Sequence, residues 1–178
     1  MPTINGRACV VDGKPVDKVY SNGRQIYGRN LILDSAKEIS SAGNGEQNQG
    51  IWWNIYNFSF GNITNTPAKV GDSVTFSADV LVTGTSPSGT FQFQFNDTPW
   101  SNLASSTFNI SDFTIGEKKH IAISTTVSSS WLTSTNQATG IRVRMDNVPT
   151  TITLDASKCK FEVGNTPTTW TPAPEDVI

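Results

Sequence analysis

Charge is scarce in this chain. Asp, Glu, Lys and Arg make up 16% of its 178 residues, against about a quarter in ordinary globular domains. The net charge is −2, and no basic run is longer than Lys118-Lys119, so the electrostatic footprint of a nucleic-acid-binding protein is missing. Long apolar runs are missing too. None approaches the roughly 18 residues that a membrane-spanning helix needs. The opening "MPTINGRACVVDGK" lacks the charged-then-apolar layout of a secretory signal. The chain is expected to be made in a cytoplasm and to leave it by lysis or within a larger particle. The two cysteines, Cys9 and Cys159, are too far apart for a CxxC zinc or redox motif. Both read as small buried hydrophobes, since a cytoplasmic origin disfavours a disulfide between them. Catalytic signatures are absent as well. No GxSxG, HExxH or P-loop pattern occurs, and the one histidine, His120, follows two lysines as an ordinary strand-surface residue. The 15 acidic residues are scattered, mostly in turns beside Gly or Asn, where turn chemistry accounts for them. No pair has a spacing that singles out the two carboxylates of a glycosidase. The expectation is a protein that is not an enzyme.

In place of charge the chain carries Ser, Thr, Asn and Gly, a composition suited to exposed β-sheet faces. Residues 1–28 stand apart. Asn5-Gly6, Asp12-Gly13 and Asn22-Gly23 each separate short apolar runs and signal type I′ hairpins, whose two central residues need positive φ. Strands are expected over Ala8–Val11, Lys18–Tyr20 and Arg24–Tyr27. A segment this short cannot bury enough surface to fold alone. It is expected to be a docking segment of β-hairpins, seated on the main domain or, by preference, on a partner protein. Residues 29–178 read as one β-rich domain. In "DSVTFSADVLV", Val74, Phe76, Ala78, Val80 and Val82 fall on one face; in "FQFQFN", Phe91, Phe93 and Phe95 oppose Gln92, Gln94 and Asn96. Lys119–Val127 and Ile141–Asp146 repeat the alternation. Further strands are expected at residues 29–35, 51–60, 150–154 and 158–163, with 39–50 as a polar loop. Half-buried strands separated by Gly/Pro turns imply an all-β, antiparallel β-sandwich of jelly-roll type.

"RNLILDS", "GDSVTFSADVLV", "KKHIAIST" and "GIRVRMDN", closed by "ITLDASKCKFEVGNTPTTWTPAPEDV", resemble the carbohydrate-binding-module domains of Gram-positive siphophage tails and baseplates. The ending is the most specific part, and the set is similar to the accessory baseplate proteins of lactococcal-type phages. The resemblance covers about residues 18–178. It implies a jelly-roll fold, host cell-wall saccharide as the ligand, and other baseplate or tail proteins as partners through residues 1–28. It also implies a place in the virion, assembled in the host cytoplasm and released by lysis. One departure is Val163, where the family usually carries Lys, so any salt bridge made from that position is lost. A structural calcium ion is common in such modules. It needs several oxygen ligands, and Asp155 and Asp34 are the nearest candidates, although no DxDxDG-type loop is present. Trp170, in "TTWTPAPED", resembles the family's structural Trp and is expected to pack the C-terminus against the sandwich.

Saccharide binding needs aromatic faces that stack on the C–H side of a sugar ring and planar polar groups that bond paired hydroxyls. The outward set Gln92, Gln94 and Asn96 offers planar amides; Arg142 and Arg144 offer fork-like donors. Trp52 and Trp53 are adjacent, so in a strand they point to opposite faces and one is left for a stacking wall. Tyr56 falls on the side of Trp52. Trp100 and Trp131, in turn-like stretches, are loop aromatics at the rim. The alternative for each is a plain solvated face, core packing or an end plug. The competing function is a structural adaptor or decoration protein of the virion that binds no sugar.

Overall fold

The Asn-Gly and Asp-Gly pairs act locally as the turn chemistry requires. Asp12 and Gly13 take φ of 50° and 73°, and Asn22 and Gly23 take 49° and 75°, in the computed structural model of the chain. That structure describes residues 9–52, 68–97, 101–129 and 140–176, with backbone alone at 51–52, 95–97, 101–105, 140–142 and 175. The first turn joins β1 (Val10–Val11) to β2 (Lys14–Pro15) and the second joins β3 (Lys18–Ser21) to β4 (Arg24–Gly28). The third pair, Asn5-Gly6, lies outside the described residues.

The remaining strands form two four-stranded antiparallel sheets. β5 (Ile39–Ala42), β7 (Ser73–Gly84), β10 (Lys118–Thr126) and β12 (Ile152–Val163) make the first, in the order β10-β7-β12-β5. β6 (Gln49–Trp52), β8 (Thr90–Asp97), β9 (Ser101–Asn109) and β11 (Gly140–Asp146) make the second, in the order β6-β11-β8-β9. The chain alternates between sheets except at the β8–β9 hairpin. β5 pairs with β12 and β6 with β11, so that first meets last and second meets second-last, as a jelly roll demands. The inner faces carry the apolar alternation read from the sequence. Val74, Phe76, Ala78, Val80 and Val82 from one sheet and Phe91, Phe93, Val143 and Met145 from the other are all but fully buried. Phe76 and Phe93 meet across the sandwich at 4.8 Å between ring centres. Each such Val, Phe or Met side chain contributes about 1.5–3 kcal/mol by leaving water.

Three expectations change, and one strand, β9, was not anticipated. Residues 29–35 are not a strand. The buried Asn30 amide donates to Ser35 Oγ, the Cys159 carbonyl and the Thr171 carbonyl, and its oxygen accepts from the Ile32 and Phe161 amides. A side chain that takes over neighbouring backbone groups competes with a ladder. The polar stretch 39–50 holds β5 and the start of β6. β9, with little alternation of its own, pairs along β8. Residues 150–154 and 158–163 belong mostly to one strand, β12, broken by a bulge between Ser157 and Lys160 where Lys158 has φ of 50°. The bulge shifts the alternation by one residue, so Ile152, Leu154 and Ala156 face inward before it and Cys159, Phe161 and Val163 after it.

The outer face of the first sheet is half covered. β4 and the strap of residues 164–171 lie over it and bury Thr75, Ser77, Lys160 and Glu162. Gln25 Nε2 donates to the Val163 carbonyl, and Tyr27 is 1% exposed, so β4 is seated on the sandwich. Thr168 is the centre of the seam. Its hydroxyl donates to Glu162 Oε2 at 2.6 Å and accepts from Lys160 Nζ at 2.8 Å and from the Gly28 amide at 3.1 Å. Its own amide donates to Glu162 Oε1 at 2.7 Å. Lys160 Nζ stands 3.7 Å from Glu162 Oε2 and 5.5 Å from the Tyr27 ring centre. Val163 itself faces the hydrophobic core. A Cβ at Gly28 would run into the Glu162 carboxylate.

Candidate functional site

The outer face of the second sheet gathers the planar polar residues by register. β11 is central, flanked by β6 and β8. Arg142 stands opposite Trp52 on one side and Gln94 on the other, and Ser105 of β9 extends the row. Arg144 stands opposite Gly50 and Gln92, with Thr107 beyond. Asn96 stands opposite Gly140 and Asn102. Residues directly opposite in an antiparallel pair share a face, so Trp52, Arg142, Arg144, Gln92, Gln94 and Asn96 occupy one side of one sheet. Of the adjacent tryptophans, the one in register with Arg142 is Trp52.

The described side chains on this face are ordered by one another. Gln94 Nε2 donates to Gln92 Oε1 at 2.9 Å, and Gln94 is only 5% exposed. It faces away from the core as its alternation requires, yet it is not solvated. Arg144 grips Asp146 through Nε and Nη2 at 2.8–3.0 Å. Asp146 Oδ1 also accepts from the Asn48 amide at 2.7 Å, which holds the loop between β5 and β6. A bidentate carboxylate fixes the guanidinium plane. Asp146 was legible in "RMD" as the same-face i+2 neighbour of Arg144 on a strand, but its clamping role needs the loop that only the fold supplies.

Strand ends Trp52, Asp97, Ser101 and Gly140 fall at one end of this sheet. Trp53, Tyr56, Trp100 and Trp131, all read as stacking or rim residues, lie outside the described residues. The calcium candidates are apart in the register: Asp155 stands between Ser40 and Leu81, while the amide of exposed Asp34 donates to the Asp176 carboxylate. Among the described residues, no group of three His, Cys, Asp or Glu side chains comes together as a metal site. Trp170 does pack the C-terminal strap, with its indole N–H on Ser35 Oγ at 3.3 Å, but it is half-buried and not sealed in the core. Cys9 and Cys159 are free thiols; burial, then the charge of Asp79, pushes Cys159 up to about 12, far from a reactive thiolate.

Sequence reading missed a second polar group, on the open half of the first sheet. Asp79 Oδ1 meets His120 Nδ1 at 2.8 Å and Asp79 Oδ2 meets Lys158 Nζ at 3.3 Å. Burial raises the Asp79 pKa, but the hydrogen bonds and charges of His120 and Lys158 outweigh it and hold the carboxyl below its ordinary range. These three come from different strands, and no spacing along the chain betrays them.

These features define an antiparallel jelly-roll sandwich with a polar outer sheet. Its fold is shared with a chain of the tripod (BppUct-A-L) from the baseplate of bacteriophage Tuc2009, at TM-score 0.55 and 17% identity over 85% of this chain. The match spans 61% of the tripod chain. The CBM22-1 xylan-binding domain of Paenibacillus barcinonensis Xyn10C is more distantly similar (TM-score 0.40, 9% identity, 73% of this chain and 74% of that one). So is a CBM4 domain (0.35, 11%, 76% and 66%). No known family profile and no curated protein matches the sequence.

Proposed function

We propose that the protein is a non-catalytic accessory module of a phage tail baseplate that binds host cell-wall saccharide and so promotes adsorption. The reading rests on one observation above others: the register that sets Trp52, Arg142 and Gln94 in a single row on the outer face of β6-β11-β8-β9. Trp, Arg and Gln at cross-strand register positions supply the residue types that stack on and hydrogen-bond a hydroxylated ring. The Arg144–Asp146 clamp stiffens the neighbouring row. The likeness to a baseplate tripod chain supports the virion setting.

Residues 1–28 carry the docking element for other baseplate proteins, on the surface that β4, seated on the sandwich, leaves exposed. Val10, Val11, Tyr20 and Ile26 are exposed there at 37%, 57%, 58% and 41%, and a short hairpin offers strand edges to a neighbour. Repetition around a symmetric baseplate raises the effective affinity of weak single sites without new contacts. The competing adaptor reading draws on the burial of Gln94 and on the Arg144–Asp146 pair, which give both residues structural partners. A glycan array and a pull-down on Gram-positive cell walls separate the two. Wild-type protein is expected to be retained, and folded Trp52→Ala or Gln94→Ala variants to be lost. Wild-type retention of both variants rejects the site, and no retention of any form favours the adaptor.

A further inference from the structure

The geometry points to a second saccharide-binding groove, on the opposite sheet, where the C-terminal strap steps down onto the bare half of β10-β7-β12. The groove measures about 530 Å3, within the roughly 300–1,000 Å3 of small-ligand sites. One wall is the strap, from Pro167 to Trp170, and the floor is Asp79, His120 and Lys158.

Each part suits a hydroxylated ring. The Trp170 indole is half-buried and anchored by its N–H on the buried Ser35 hydroxyl, so the platform is held in place and its N–H needs nothing from a ligand. Asp79 is a planar acceptor flanked by two donors that reach it from neighbouring strands, His120 at 2.8 Å and Lys158 at 3.3 Å. The side chains of His120 and Lys158 remain 50% and 60% exposed, so both stay within reach of solvent while touching the carboxylate. Vicinal sugar hydroxyls need an acceptor and a donor side by side, and an Asp–Lys pair presents both. The carboxylate and the ammonium offset each other, which favours a neutral ring over a free anion. The bulge makes the arrangement possible: at positive φ, Lys158 leaves the ladder and joins the outer face beside Asp79, which the regular alternation of β12 would not allow. The inference is independent of the face proposed above, and either can fail alone.

The test is a titration of uniformly 15N-labelled full-length protein with the methyl glycosides of N-acetylglucosamine, glucose, galactose and rhamnose. Trp170→Phe assigns the Trp170 indole signal by its disappearance. At least one glycoside is expected to shift that signal in the wild type. Lys158→Ala and Asp79→Asn are expected to weaken the shift-derived affinity about tenfold each, while Trp52→Ala leaves it unchanged. If Asp79→Asn loses its dispersed spectrum, Lys158→Ala decides. The inference is overturned if no glycoside moves the Trp170 signal, or if the affinity survives Lys158→Ala intact. Loss of the shift in Trp52→Ala would overturn it as well, by tracing the binding to the other sheet.

Discussion

Thr168→Val is a near-isosteric change that tests what holds the two ends of the chain together. It keeps the shape of a buried side chain and removes one hydroxyl that serves three partners: Glu162, Lys160 and the Gly28 amide. Two of those bonds go to charged groups, at about 1.5–3 kcal/mol each, and the third to a neutral amide, at about 1 kcal/mol. Their sum is about 4–7 kcal/mol. Partial relaxation of the strap offsets some of it, so the expected loss is about 4 kcal/mol. For a chain of this size that corresponds to a fall in Tm of about 10 °C. The assay is urea and thermal unfolding at pH 7, with hydrogen exchange at the Gly28 amide as a local readout. Thr168→Ser keeps the hydroxyl and is expected to stay within about 1 kcal/mol of wild type. Were Thr168→Val to lose less than about 1 kcal/mol with Gly28 still protected, the hydroxyl would not be what joins strap, β4 and β12.

The same seam carries a pH signature. Burial lowers the Lys160 pKa from its ordinary 10.5 to about 8, against the opposing pull of Glu162. Between those values the unfolded chain binds more protons than the folded one, so stability rises with pH across that window. Relative to Lys160→Met, wild type is expected to gain up to about 3 kcal/mol between pH 7 and pH 10.5. Urea unfolding of both proteins at the two pH values measures it, and an unchanged difference refutes it. In the core, Phe93 is fully buried, 4.8 Å from Phe76 and 5.8 Å from Phe91 between ring centres. Phe93→Ala is expected to cost about 3–5 kcal/mol by urea unfolding; a loss under about 2 kcal/mol would mean that the facing sheets close over the space.

The long central strands were legible because each solves a local problem that its own residues state. "SVTFSADVLV" and "FQFQF" alternate cleanly, since one face meets a core and the other does not. Asp12-Gly13 and Asn22-Gly23 turn where they do because little else tolerates positive φ twice in succession. β5 and β9 were hidden for the complementary reason: "ISSA" and "SNLASSTFN" have no marked period, and their neighbours β12 and β8 impose the pairing. Residues 29–35 looked like a strand from their apolar content and failed as one because Asn30 diverts backbone donors to its own amide. Of the candidate site, the row of planar residues was readable from alternation. The choice of Trp52 over Trp53 as the partner of Arg142 was not, since it depends on register.

Composition and periodicity alone were enough to settle an antiparallel two-sheet body with an amide- and guanidinium-bearing outer side, because the two-residue repeat of a strand is written directly into the order of side chains. Which strands lie side by side, that a one-residue bulge at Lys158 re-aims half of β12, and that Lys160 and Glu162 share one buried hydroxyl were decided only by packing. The pairing joins segments far apart in the chain, and the Thr168 hydroxyl also reaches the Gly28 amide 140 residues away; no local pattern encodes the distance that folding removes between them.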